Sequence, residues 1–248
     1  MVGIMNSNSR EKLASLVNSV KRAMDLHSKL EYLRLLKQGL PHEGTIFPSE
    51  FLPLLFNLLA DEFAPVRKFV TEIIGEVGVK HLEYLPEIVP VLINVLKDDT
   101  PAVARQAITC GADLFHCTLE KVAIQGLHSS ELDNSLESSW AWMLKFKDEI
   151  FSIAFQPGSG GVRLLALKFV EAVILVYTPD PNGSLEPPYE GNPVGFNISS
   201  LRGGHPVLNI GDLSVEASQR LGLLVDQLRF PTVKSLGSSV IIVLINRF

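Results

Sequence analysis

Side chains able to bind a metal or attack a substrate are few in this chain, and they are poorly spaced for either chemistry. The two cysteines, Cys110 and Cys117, lie seven residues apart on one predicted helix, unlike the close pairs of zinc and redox sites. His116 directly precedes Cys117, and adjacent residues point to different faces of a helix. The pattern predicts two buried thiols in a reducing compartment, with no metal and no cofactor.

The glycine-rich segment Pro157–Arg163 precedes a predicted helix, where free backbone N–H groups can bind an anion. It lacks the Lys-Ser/Thr pair that completes a phosphate-binding loop, so we interpret it as a tight turn. The chain also contains no HExxH and no GxSxG sequence, the motifs of zinc proteases and of α/β-hydrolases. We therefore predict that the protein is not an enzyme.

Composition and charge limit the classes of partner. The 248 residues are 46% hydrophobic, which is enough to bury a sizeable core. The net charge of -5 gives no overall attraction to nucleic acid, so no direct nucleic-acid binding is predicted. The amino terminus lacks the apolar region of a secretory signal, and the terminal apolar run is shorter than the roughly 20 residues that span a bilayer. We expect neither secretion nor a membrane partner.

The predicted helix Gly160–Tyr177 has the clearest periodicity in the chain. Its apolar residues recur in steps of three and four, the pattern of a helix that buries one face; they are Val162, Leu165, Ala166, Phe169, Val170, Val173, Ile174 and Tyr177. The same template begins again at Val66 and at Val103, which lie 37 residues apart. Each copy follows an apolar helical segment and a short polar turn, so the repeating unit is a helix pair.

These repeats predict an all-α fold. We expect an α-solenoid of HEAT/ARM-type antiparallel helix pairs, with about five repeats and one long Pro/Gly-rich loop. Residues 1–9 are predicted to form a flexible amino terminus and residues 10–248 a single solenoid domain. Within that domain, Thr118–Glu137 is predicted to be a polar enlargement between repeats. The last repeat is expected to be truncated, so that the run Val240–Ile245 exposes apolar surface.

The predicted loop covers residues 179–213. Six prolines and six glycines occur between Pro179 and Gly211, with few large apolar residues among them. A connection of this length far exceeds the usual spacing of paired helices. We expect it to be the most mobile internal segment, with Arg202 open to trypsin.

Acidic turns followed by arginine recur along the chain. Asp61 precedes Arg67, and Asp98 or Asp99 precedes Arg105. In stacked repeats such residues can form a ladder that ties each turn to its neighbour. A charged docking strip is the alternative interpretation.

Several segments resemble the amino-terminal region of the symplekin family, in a plant-like short form. They are "VRKFVTEIIGEV", "LKDDTPAVARQAI", "GVRLLALKFVEAVI" and "FPTVKSLGSSVIIVLIN", of which the third is the most specific. The resemblance implies a nuclear HEAT-repeat scaffold of messenger-RNA 3′-end cleavage and polyadenylation. It further implies that the concave face binds and stimulates an RNA polymerase II carboxy-terminal-domain phosphatase, alongside cleavage and polyadenylation factors.

The resemblance also implies a partner-binding surface on the second helices of the pairs. The family's lysine corresponds to Lys168, with Glu171 beside it, and Arg105, Thr109 and Lys68 occupy related positions. A solvated Lys168–Glu171 charge pair is the alternative interpretation of these residues. The alternative function is a generic HEAT-repeat adaptor in nuclear transport or trafficking.

Overall fold

A computed structural model describes residues 3–4, 7–40, 45–179, 198–201 and 205–229. Helices make up nearly all regular structure in these ranges, beside one short parallel pairing of β1 (Gly3–Ile4) with β2 (Thr45–Ile46). The chain divides into two compact units, Met1–Leu114 and Phe115–Phe248. The all-α helical-repeat fold class is confirmed, whereas the number of repeats and a single domain over 10–248 stay predictions.

The helices alternate in pairs joined by short turns. In chain order they are α1 Ser7–Arg22, α2 Leu26–Gln38, α3 Phe51–Phe56, α4 Ala64–Lys80, α5 Leu85–Val95, α6 Pro101–His128, α7 Asn134–Phe155, α8 Gly160–Tyr177 and α9 Ile210–Arg229. Helix α1 packs on α2 and α3 packs on α4 in the first unit, and α7 packs on α8 in the second. Short connections between packed neighbours make each pair antiparallel. No helix in the described ranges combines the length and apolar composition needed to cross a membrane.

The predicted polar enlargement Thr118–Glu137 is wrong in its first half. Helix α6 continues to His128, and α7 begins at Asn134. The continuation is helical because Leu119, Val122 and Ala123 keep the buried stripe of α6 going after the polar residues begin. Helix α1 also begins at Ser7, earlier than the predicted flexible segment 1–9 allows.

The carboxyl-terminal part of the predicted loop 179–213 is packed and partly helical. Ile198, Leu201 and Leu208 are buried, and α9 begins at Ile210. The segment has few large apolar residues, but these three are enough to pack its carboxyl-terminal part. Residues 180–197 and 202–204, with the predicted cleavage point Arg202, lie outside the described residues, as does the terminal run Val240–Ile245.

His205 fastens this segment to α6 within the second unit. Its Nε2 lies 3.1 Å from the Val122 carbonyl, and its Nδ1 accepts the Leu208 N–H at 2.8 Å. Burial lowers the pKa of His205, which favours the neutral ring that this arrangement uses. A Cβ at Gly126 would lie 2.1 Å from His205 Nε2, so the absence of a side chain at Gly126 makes room for the imidazole.

Two ion pairs join successive helix pairs of the first unit; we call Lys29–Asp61 and Arg67–Asp98 the charge ladder. Lys29 of α2 binds Asp61 in the turn before α4, and both side chains are buried. Arg67 of α4 binds Asp98 before α6 through two nitrogens, at 2.7 and 2.9 Å. Ion pairs do tie successive turns together, but the predicted pairs, Asp61 with Arg67 and Asp98 or Asp99 with Arg105, are wrong. Asp98 pairs with the preceding arginine, Arg67, and the side chain of Asp61 pairs with Lys29.

In each pair of the charge ladder, the cation binds an aspartate that follows it in the chain. Each cation lies in the first turn of its helix, Lys29 in α2 and Arg67 in α4. Arg67 donates to the backbone carbonyls of Asp61 and Glu62 at 3.0 and 3.2 Å, so one guanidinium binds its own turn and the next one. Asp61 and Asp98 each accept a backbone N–H from the residue two positions on, which fixes both turns in the same conformation. The turns therefore present their carboxylates at equivalent places.

Two glycines allow α4 to approach α6 closely inside the first unit. A Cβ at Gly75 would lie 2.4 Å from Cys110 Sγ, and one at Gly78 would lie 2.8 Å from Leu114. Burial raises the pKa of Cys110 to about 12, so this thiol stays protonated and is a packing residue. The anchors of the repeat template, Val66 and Val103, are fully buried on the same two helices.

Replacing Asp98 by Asn removes the charge that Arg67 binds and keeps the side-chain shape. At neutral pH we expect the free energy of unfolding to fall by about 1–3 kcal/mol, the effect of losing charge-assisted hydrogen bonds. The Arg67 hydrogen bonds hold the pKa of Asp98 below its ordinary 3.8. The contribution is therefore complete above that pH and is lost as the pH falls through the lower folded-state pKa. Denaturant titrations should show that the free energies of unfolding of wild type and Asp98→Asn become equal in acid.

Asp99→Asn is the matched control, because Asp99 is the exposed neighbour of Asp98 in the same turn. It should change the free energy of unfolding by no more than about 0.5 kcal/mol. Equal losses in the two variants would contradict the assignment of the ion pair to Asp98.

Gly75→Ala tests the close approach of α4 and α6. The added methyl group meets Cys110, and overpacking of this kind typically costs about 1–3 kcal/mol. Gly222→Ala in α9 is the control, because a Cβ there meets nothing within 4 Å. Thermal unfolding should show a lower midpoint for Gly75→Ala and an unchanged or higher one for Gly222→Ala, since alanine favours a helix by up to about 1 kcal/mol. A rise in both midpoints would contradict the packing argument.

Candidate partner-binding surface

Helix α8 carries Lys168, the residue that the sequence most clearly predicts to bind a partner. Buried residues lie on two sides of the helix; they are Val162, Ala166, Leu167, Phe169, Val170, Val173, Ile174 and Tyr177. The predicted stripe differs at one place, since Leu165 is half-buried and Leu167 is buried. Because both positions are leucine, the sequence does not say which of the two side chains the neighbouring helices cover.

An aromatic cluster beneath α8 fixes its rotation. Phe169 packs against Phe115 and Phe151, with ring centroids 5.8 and 6.0 Å apart, and Tyr177 packs against Phe115 at 6.1 Å. Trp140 of α7 adds a third ring partner for Phe115, with the centroids 5.8 Å apart. Because these rings hold one side of α8 inward, the opposite side faces solvent.

That solvent-facing side combines a cation with exposed apolar groups; we call Leu164, Lys168, Ala172 and Leu175 the α8 face. Lys168 is exposed, and Leu175 keeps 60% of its surface exposed. Glu171 is half-buried and has interactions of its own, so it lies at the edge of the face. In the described part of the chain, Lys168 makes no ion pair. The alternative of a solvated Lys168–Glu171 pair gains no support from this geometry.

Sequence reasoning missed Leu175. The signal was present, because Leu175 lies seven residues after Lys168 and therefore on the same side of the helix. The predicted buried stripe leaves Leu175 out, and no role is predicted for it. Large exposed apolar side chains beside a cation are typical of protein–protein contact surfaces.

The other three predicted residues lie in the first unit, on two adjacent helices. Lys68 is exposed on α4, and Arg105 and Thr109 are exposed on α6. The Gly75–Cys110 contact brings these helices together directly, and Thr109 precedes Cys110. The Thr109 hydroxyl donates to the Arg105 carbonyl at 3.1 Å, a bond within its own helix. The structure thus groups Lys68, Arg105 and Thr109 in one unit, and Lys168 with Glu171 in the other.

The two glutamates that follow Lys68 on α4 form ion pairs with another lysine. Lys37 of α2 lies 2.6 Å from Glu72 and 2.5 Å from Glu76, both on α4. Partial burial lowers the pKa of Lys37, but its hydrogen bonds to the two carboxylates outweigh burial and raise it. With these carboxylates bound to Lys37, Lys68 has no ion-pair partner among the residues that the structure describes.

The exposed side chains of these surfaces are of the kinds that bind a protein partner. No group of three or more histidine, cysteine or acidic residues able to hold a metal ion occurs in the described ranges. Cys110 is buried and protonated, while Cys117 is half-buried. Exposed cations and apolar side chains on rigid helices can bind a protein partner without any reacting group.

Comparison with protein families gives a match over the carboxyl-terminal part of this chain. A family model described as Symplekin/PTA1 N-terminal matches residues 100–248, which is more than half of the sequence. The matched part contains α6, α7, α8 and α9, and with them Arg105, Thr109, Lys168 and Glu171. Lys68 lies before it.

Leu175→Ala and Leu167→Ala are a matched pair on α8. Leu167 is buried, so its truncation should lower the free energy of unfolding by about 2–5 kcal/mol through lost burial and a cavity. Leu175 is mostly exposed, so its truncation should change the free energy of unfolding by no more than about 0.5 kcal/mol. Chemical denaturation followed by circular dichroism measures both. A large loss for Leu175→Ala would mean that this side of α8 is packed in solution and not open to a partner.

Proposed function

The chain belongs to the Symplekin/PTA1 N-terminal family, and from this premise we propose that it binds and stimulates an RNA polymerase II carboxy-terminal-domain phosphatase. Membership of the family supports a role as a scaffold in messenger-RNA 3′-end processing, which is a nuclear process. The phosphatase is the specific partner in the proposal, and cleavage and polyadenylation factors are the wider assembly.

The observation that carries the proposal is the α8 face inside the family-matched region. Lys168 is exposed there beside Leu175, on a helix whose rotation is held by buried aromatic rings. A rigid helix presents these side chains at a fixed spacing, so little conformational entropy is lost when a partner binds. In a HEAT solenoid the second helices line the concave side, which is the usual binding surface of such folds.

The residues have distinct roles in the proposal. Lys168 supplies charge for an acidic group of the phosphatase, and Leu175 supplies apolar contact beside it. Glu171 borders the α8 face, and Arg105, Thr109 and Lys68 are proposed as further contact residues on second helices of the first unit. Stimulation then arises from holding the phosphatase, while the chain itself contributes no catalytic group.

The family match weighs against the alternative of a transport or trafficking adaptor. The two classes differ in the proteins that they bind in the nucleus. Co-purification from nuclear extract should recover polyadenylation factors; recovery of transport receptors in their place would support the alternative.

Lys168→Glu should weaken phosphatase binding without unfolding the protein. Charge reversal at the centre of the contact is expected to raise the dissociation constant roughly tenfold or more. Stability should change by no more than about 0.5 kcal/mol, because the side chain is exposed. Calorimetric titration of the purified phosphatase into wild type and variant measures the difference.

Lys121→Glu is the matched control, since Lys121 is exposed on α6 in the same unit and lies off the α8 face. It should bind the phosphatase as wild type does. Unchanged affinity for Lys168→Glu would remove Lys168 from the binding surface, and equal weakening in both variants would indicate only a general effect of net charge.

A further inference from the structure

Helix α9 is held in the second unit by much less apolar burial than its neighbours. Among its residues 210–227, Ala217 and Leu224 are buried, whereas α7 and α8 each bury eight residues. Val215, Leu221 and Leu223 of α9 are exposed. Apolar burial is the main force that holds a helix in place, so α9 needs another source of attachment.

The first polar attachment is a buried lysine on α7. Lys147 Nζ lies 2.5 Å from Glu216 Oε1 of α9, and the lysine side chain is 5% exposed. Its ammonium also lies 5.7 Å from the ring centre of Phe151 and 5.6 Å from that of Tyr177. An ammonium among aromatic rings requires a counter-ion, and Glu216 supplies it from α9.

Two further attachments follow along the same helix. The Arg220 guanidinium lies over the Phe151 ring at 4.7 Å and 3.9 Å from Asp148 of α7. At the other end, Arg163 of α8 donates to the Gln227 side chain at 2.8 Å and to the Ala154 carbonyl at 3.0 Å. Burial lowers the pKa of Arg163, consistent with a guanidinium enclosed between helices. The three attachments, at Glu216, Arg220 and Gln227, are the polar clasp of α9.

We propose that α9 is a strap that opens separately from the α7–α8 pair, because the polar clasp and not a shared apolar core holds it closed. When the helix leaves, water replaces part of these polar contacts, so opening costs less than exposing an apolar core would. Opening uncovers Phe151, Tyr177 and the Lys147 ammonium. It also frees the Tyr177 hydroxyl, which is fully buried and has no hydrogen-bond partner in the described part of the chain.

When α9 opens, the proposed binding surface on α8 loses the contacts that α9 makes beneath it. Tyr177 is the last residue of α8, and the α8 face lies on the same helix. The proposal does not rest on the phosphatase, because it concerns the free chain, and the experiment measures no binding.

Hydrogen exchange of the full chain, read peptide by peptide by mass spectrometry, tests the strap. In wild type, α9 amides should exchange at least about tenfold faster than those of α7 and α8. Glu216→Gln should speed α9 exchange by roughly a further 10- to 100-fold, the effect expected from loss of a hydrogen bond between charged groups, and leave α7 and α8 unchanged.

Asp226→Asn is the control on the same helix, because Asp226 is exposed and outside the clasp, and its α9 exchange should equal that of wild type. Lys147→Met keeps the aliphatic stem and removes the ammonium; combined with Glu216→Gln it should be less harmful than the sum of the single variants. Wild-type α9 amides protected as well as those of α7 and α8 would overturn the proposal. So would a Glu216→Gln variant in which all three helices exchange faster to the same degree.

Discussion

The register of the first unit depends on the charge ladder. Apolar burial drives α1 onto α2 and α3 onto α4, but it is non-directional and tolerates a helix pair that slides along its neighbour. A guanidinium that binds two carbonyls of its own turn and the carboxylate of the next turn accepts a single geometry. Arg67 with Asp98, and Lys29 with Asp61, therefore specify how successive pairs align. The glycine at position 75 then lets α4 and α6 meet at the distance that this register requires.

The second unit keeps the same helical template and uses different contacts. Its aromatic cluster around Phe115 replaces the ladder as the rigid centre, and Arg163 binds the Ala154 carbonyl near its own turn, much as Arg67 binds the carbonyls of Asp61 and Glu62. Ala104 occupies the position in α6 that Arg67 has in α4, and the turn Gln156–Ser159 contains no acidic residue. A third ladder pair would need a cation at position 104 and an acidic residue in this turn, and the sequence has neither.

This use of charge separates the cations into two groups. Lys29, Arg67 and Lys147 are covered and bound by carboxylates, so their role is to position helices. Lys168, Lys68 and Arg105 are exposed on the second helices. A scaffold needs both kinds, because a binding surface can be specific when internal ion pairs hold its helices rigid. The family match supports a role in 3′-end processing, and the proposed binding surface includes the exposed cations.

The sequence by itself determined the helix pairs, the buried anchors Val66, Val103 and Val162, and the family, because helical periodicity and local turns are encoded within short stretches of chain. It also determined that Lys168 lies off the apolar stripe. Tertiary structure alone decided the partner of each charge, such as Asp98 with Arg67, since that pairing joins residues more than thirty positions apart. It also decided the burial of Leu167, the exposure of Leu175, and the packing of His205 into the space at Gly126. These depend on which neighbour covers a side chain, and no local pattern contains that neighbour.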